Sequence, residues 1–143
     1  KKELQKNLLA LCDRVAGRMR KGKCFGTRIQ VYARYQDFGG TGTQKRIQEP
    51  LVTGLDIFRN AWHVLEPRIN PNHGIRLLGV SVSGLLQAEP QPSFFRKDRN
   101  LQRATRALDT ASERYGTRVW QRAATLGTHF KARVSGWHYD HEG

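Results

Sequence analysis

The stretch Thr27-Arg28-Ile29-Gln30-Val31-Tyr32-Ala33-Arg34-Tyr35 decides the fold, because apolar and polar residues alternate along it without a break. Successive side chains of an extended chain point to opposite faces. Ile29, Val31, Ala33 and Tyr35 therefore share one face, and Arg28, Gln30, Tyr32 and Arg34 share the other. The pattern predicts a half-buried strand with a basic outer face. The segment from Asp37 to Gly42 holds three glycines and turns the chain. Thr43 to Leu51 then returns as an antiparallel partner, with Ile47 inward and Gln44, Arg46 and Gln48 outward.

Upstream, Leu4, Leu8, Leu11, Val15 and Met19 recur at helical spacing, which predicts an amphipathic helix over residues 3–21 with a basic outer face, ended by Gly22. Downstream, Pro50 and Gly54 close the second strand, and Leu55, Phe58, Ala61, Trp62 and Leu65 mark a second helix running up to Pro67. After a loop from Asn70 to Gly74, a third strand runs from Ile75 to Leu85, with Leu78, Val80 and Val82 alternating against Gly79, Ser81 and Ser83. The order helix, strand, strand, helix, strand is that of an α+β domain over residues 1–86. A Pro- and Gln-rich linker lies within 87–100. In the extension 101–126, Leu101, Thr105, Leu108 and Ser112 predict a helix ending at Tyr115-Gly116, and a short helix follows from Thr117 to Leu126. The polar stretch 127–143 is expected to be a flexible tail.

The chain has 143 residues, enough for one core and an extension. Its 25 Lys and Arg against 12 Asp and Glu leave a formal charge of +13. A compact body so charged repels itself unless a polyanion lies against it, and nucleic acid is the leading partner. The excess sits in residues 1–50 and 91–143, while 51–90 is balanced. No signal peptide is visible in these residues, and no apolar run approaches the roughly 18 residues of a membrane-spanning helix. Lys1 opening directly into a helix reads as the cut end of a fragment. Cys12, on the apolar stripe, and Cys24, at a turn, provide neither a disulfide framework nor metal-ligand spacing, which fits a reducing cytoplasm. Metal-dependent phosphoryl transfer needs converging carboxylates. Asp13, Asp37, Asp56, Asp98 and Asp109 are instead scattered, so catalysis of that kind is expected elsewhere. His138 and His141 could touch one metal from a helical turn, but a mobile tail is the preferred account.

The run Tyr35-Gln36-Asp37-Phe38, the strand Thr43-Gln44-Lys45-Arg46-Ile47-Gln48-Glu49-Pro50 and the strand Ile75-Arg76-Leu77-Leu78-Gly79-Val80-Ser81-Val82-Ser83 stand in this order. Together they resemble the little finger, the C-terminal DNA-binding region of bacterial Y-family translesion DNA polymerases. The resemblance covers roughly residues 3–95 and echoes again in Leu108-Asp109 and Arg114-Tyr115-Gly116. It implies an antiparallel sheet with two helices packed on one face and the open face along the DNA backbone. The family's sheet has four strands, and the first of them would precede Lys1.

Read this way, the chain is a non-catalytic piece that grips primer-template DNA independently of sequence, with Arg28, Gln30, Tyr32, Arg34, Gln44, Lys45, Arg46 and Arg76 as contacts. Strict alternation puts Arg76 with the inward residues at the start of its strand, from where a long side chain can still snorkel outward. No cofactor is expected in this chain. The resemblance implies Mg2+ in the core of a parent DNA-directed DNA polymerase, and a cytoplasmic, nucleoid-associated location. Gln91-Pro92-Ser93-Phe94-Phe95 resembles the peptide that bacterial polymerases present to the sliding clamp, with Gln91, Ser93, Phe94 and Phe95 as its contacts. Packing of the two phenyl rings onto the domain is an equally weighted alternative. No membrane or small-molecule partner is indicated. Two other functions compete: a basic RNA-binding or ribosome-associated domain, and an adaptor of a lesion-bypass assembly without polymerase activity.

Overall fold

The computed structural model describes residues 1–87, 99–116 and 120–128. Helix α1 (Lys2–Lys21) is followed by strands β1 (Cys24–Tyr35) and β2 (Gly40–Leu51), helix α2 (Gly54–Leu65), strands β3 (Ile75–Ser83) and β4 (Leu86–Gln87), and helix α3 (Arg99–Tyr115). The fold is α+β, as expected, with an antiparallel sheet ordered β2-β1-β3. β4 pairs with β1 through Cys24↔Gln87 and Phe25↔Leu86. It keeps the register of Arg28↔Ser83 in the β1–β3 ladder, so β4 continues the track of β3 beyond a break at Gly84. Gly84 takes a left-handed conformation (φ 62°), and its carbonyl accepts a hydrogen bond from Thr27 Oγ1 (3.1 Å). The strand expected over 75–85 thus ends at Ser83, and its track resumes at Leu86–Gln87.

Both helices cover the same face of the sheet. α1 buries Leu8, Cys12, Ala16 and Met19, and α2 buries Ile57, Ala61 and Leu65, at the three- and four-residue spacing of one helix face. These meet Ile29, Val31, Ala33, Leu51 and Val82 in one continuous core. Tyr35 closes its end: its hydroxyl accepts the Asn70 N–H at 3.0 Å and donates to the Arg68 carbonyl at 3.5 Å.

Several local expectations are corrected. Gly22 does end α1, as expected, and it is Lys23 beyond it that takes the left-handed conformation (φ 50°). Cys24 belongs to β1, not to a turn. Gly54 does not end a strand but begins α2. Thr53 and Asp56 form a reciprocal capping box there, with the Asp56 N–H donated to Thr53 Oγ1 (3.2 Å) and the Thr53 N–H to Asp56 Oδ2 (3.2 Å). Where a short helix was expected over 117–126, the described part holds one 3-10 turn, Ala123–Thr125. With Leu126 exposed, no apolar stripe sustains a longer helix there. Gly116 does follow α3 in the left-handed region (φ 101°), as its position predicted.

Among the described residues, ion pairs join the extension to α1. Arg20 makes a bidentate pair with Asp109 of α3 (2.7 and 2.8 Å), and Arg122 pairs with Asp13 at 2.7 Å. Trp120 Nε1–H donates to Ser112 Oγ at 2.9 Å, and Thr125 is buried.

Candidate nucleic-acid interface

The face of the sheet turned away from the helices is laid out by register. In an antiparallel ladder, residues directly opposite each other point to the same side. Reading across β2, β1 and β3, the open face consists of the rows Arg46–Arg28–Ser83, Gln44–Gln30–Ser81, Gly42–Tyr32–Gly79 and Gly40–Arg34–Leu77. Rows on one face lie roughly 7 Å apart, so the Arg28 and Arg34 rows stand about 20 Å apart. Arg28, Gln30, Tyr32 and Arg34 are exposed while Ile29, Val31, Ala33 and Tyr35 between them are buried, which is the division expected of this strand. Gln44, Arg46 and Gln48 are exposed on β2 as well.

The middle of this face is flat. Gly42 and Gly79 flank Tyr32, and the Tyr32 ring occupies the place where a Cβ on Gly79 would project. A long rigid ligand can therefore approach the sheet with the phenol ring as its floor. Among the described residues the ion pairs are Lys1–Glu66, Arg20–Asp109, His73–Asp37 and Arg122–Asp13, so Arg28, Arg34 and Arg46 keep their donors free of carboxylates.

Two expected contacts are not on the rows. Lys45 stands opposite Ile29, whose side chain is buried under the helices, so Lys45 lies along the β2 edge on the helical side of the sheet. Arg76 is displaced by a register shift: Arg34 pairs with Leu77, and Tyr35 with Ile75. Arg76 is the extra residue of that bulge. The shift turns Ile75 toward the core and leaves Arg76 exposed, where unbroken alternation had it inward. Its guanidinium sits 5.0 Å from the centre of the Phe38 ring, a contact that sequence spacing does not disclose. Gln91, Ser93, Phe94 and Phe95 lie outside the described residues, as do Trp137, His138 and His141.

Among the described residues, no group of three or more His, Cys, Asp or Glu could hold a metal ion. Burial, and secondarily the Asp13 charge, pushes the Cys12 thiol far above its ordinary range, which makes it a protonated core residue. No described helix is long and apolar enough to cross a membrane.

A helix-backed antiparallel sheet with one open basic face places the chain among little-finger-like domains, the C-terminal regions of Y-family polymerases. Residues 1–94 match the impB/mucB/samB family C-terminal domain, and the chain belongs to that family. It is similar to the DNA polymerase IV of Moorella thermoacetica, at 32% identity over 125 residues that cover 87% of this chain and 31% of that protein. It is similar also to the DNA polymerase IV of Desulfatibacillum aliphaticivorans (28% over 129 residues; 87% and 33% covered) and of Clostridium acetobutylicum (29% over 127 residues; 87% and 32% covered). The chain spans about a third of the length of these relatives.

Proposed function

We propose that this chain is the DNA-gripping region of a lesion-bypass polymerase and holds primer-template DNA by its phosphates against the open face of the sheet. The observation that carries this reading is the row pattern. Arginines at both ends of a flat polar floor, unpaired with carboxylates, suit a polyanion whose charges repeat along a line. Gln30, Gln44, Ser81 and Ser83 add neutral donors between them. Nothing in this arrangement requires reading of base edges, so recognition is of the backbone. The carboxylates and magnesium ions of polymerisation belong, on this reading, elsewhere in the parent polymerase.

The test is fluorescence anisotropy of the chain with labelled primer-template DNA and with structured RNA across a salt series. Binding of the DNA that ignores its sequence and falls steeply with salt is expected, because each neutralised phosphate contributes about −0.9 to the log–log slope. Preference for the RNA would favour the ribosome-associated alternative, and affinity flat with salt would remove both.

The finer part of the proposal is that Gln91 to Phe95, between β4 and α3 in the sequence, docks on a sliding clamp. A glutamine for hydrogen bonds and adjacent phenyl rings for an apolar pocket suit that use. Replacing Phe94 and Phe95 by Ala should abolish pull-down of a bacterial sliding clamp while leaving melting temperature and DNA affinity almost unchanged. A collapse of the fold would assign the two rings to packing instead.

A further inference from the structure

Beyond the rows of the open face, the tip of the β1–β2 hairpin carries an arrangement that the sheet itself does not need. Phe38 holds a left-handed backbone (φ 66°) and is 78% exposed. A turn asking for that conformation is satisfied by Gly or Asn, and an exposed phenyl ring gains nothing from burial. Such a residue persists only where its surroundings over-determine it. They do so here: the Tyr35 N–H donates to the Gly39 carbonyl (2.8 Å), the Phe38 N–H to the Tyr35 carbonyl (3.3 Å), and the Gly39 N–H to Asp37 Oδ1 (3.0 Å). The neighbouring α2–β3 loop braces the tip, with His73 Nδ1 2.9 Å from Asp37 Oδ2 and the Gln36 N–H donated to the Gly74 carbonyl at 3.0 Å.

What this rigid tip presents is the ring face under the Arg76 guanidinium, 5.0 Å from the ring centre. Arg76 has no ion pair or side-chain hydrogen bond among the described residues, and the bulge at Arg34/Tyr35 is what brings it out of the sheet. A guanidinium laid on an aromatic face is held in orientation while its edge donors stay open to an oxyanion. We propose that Phe38 positions Arg76, one of the contacts expected from the sequence, as a phosphate-binding arm at the rim of the sheet, one step beyond the Arg34 row. This rests on the reading of the open face as a DNA surface. The ligand is a backbone phosphate of the same DNA.

The test is a double-mutant cycle on the whole chain, with labelled primer-template DNA across a salt series. R76A should weaken binding and flatten the salt slope by about 0.9, the share of one duplex phosphate. F38A should weaken binding about two- to fivefold, the worth of an exposed cation–π contact. In the R76A background F38A should do nothing further; with Arg76 in place, F38W should keep the original affinity and F38L should not. F38G, which removes the left-handed strain, should melt no lower than the original chain and still bind DNA more weakly. Additive effects of F38A and R76A, or an F38L variant that binds like the original, would overturn the positioning role. An R76A variant with undiminished affinity and slope would overturn the arm while leaving the DNA reading of the sheet intact. Failure of the unaltered chain to bind DNA would overturn both.

Discussion

The phenol ring of Tyr32 lies across Gly79 of the adjacent strand, in the space that any side chain at position 79 would enter. Because the displaced group is the far end of an exposed side chain, Gly79→Ala should move the ring rather than break the sheet. Its melting temperature should stay within a few degrees, since a strand interior gains by losing glycine. If the ring is part of the DNA floor, Gly79→Ala and Tyr32→Ala should weaken DNA binding by similar factors, and the double variant by no more than either. Additive losses in anisotropy titrations would show that the two positions act separately.

The rows of the open face make a second expectation quantitative. Replacing Arg28, Arg34 and Arg46 together by Ala should lower affinity for every duplex sequence alike and flatten the salt slope by about two to three, near 0.9 for each phosphate released. A loss concentrated on one sequence would mean that the face reads bases.

Gly54 begins α2 where that helix crosses α1, and a Cβ there would fall 2.7 Å from Asp13 Cα. Backbone cannot swing aside as a side-chain tip can. Gly54→Ala should therefore cost about 1–3 kcal/mol by overpacking, and Thr53→Ala about 1 kcal/mol by loss of the cap. Urea unfolding should register both, with DNA affinity per folded molecule unchanged.

Cys12 links stability to alkaline pH. Its thiol is held protonated in the folded chain, above its ordinary value of 9.0, first by burial and then by the neighbouring Asp13 charge. Above that value the unfolded chain binds fewer protons than the native one, so stability is complete below pH 9 and declines as pH rises, by up to about 1.4 kcal/mol per unit. Cys12→Ala lacks this titration. Its stability deficit at neutral pH should shrink between pH 9 and 10.5 in denaturant titrations, and a constant gap would contradict the assignment.

The extension is fastened by Arg20–Asp109 and Arg122–Asp13. Removing both arginines should loosen it without unfolding the sheet, because residues 1–87 contain nearly all of the buried apolar residues. Limited chymotrypsin digestion of the Arg20→Ala, Arg122→Ala variant should cut at Tyr115 or Trp120 well before the original chain, while the β1 strand remains protected.

The alternation of Thr27 to Tyr35 was enough to divide β1 into inward and outward faces, and the stripe Leu4, Leu8, Leu11, Val15 and Met19 found the side of α1 that turns to the core, though Leu8 and Met19 alone of these five are buried and Ile57 of α2 lay outside the stripe expected there. They also placed Arg28, Arg34 and Arg46 on one surface. Register could not be read the same way. One bulge at Arg34/Tyr35 turned Arg76 from an inward position onto the Phe38 ring. Bulges and cross-strand partners depend on how separate segments meet, and a shift of one residue reverses every face beyond it. The same holds for Arg20 with Asp109 and Arg122 with Asp13, pairs 89 and 109 residues apart. Local periodicity thus determined which residues of the unbroken strand β1 face the core. Only the tertiary structure decided which outward residues stand together, because that juxtaposition comes from packing between elements distant in the chain.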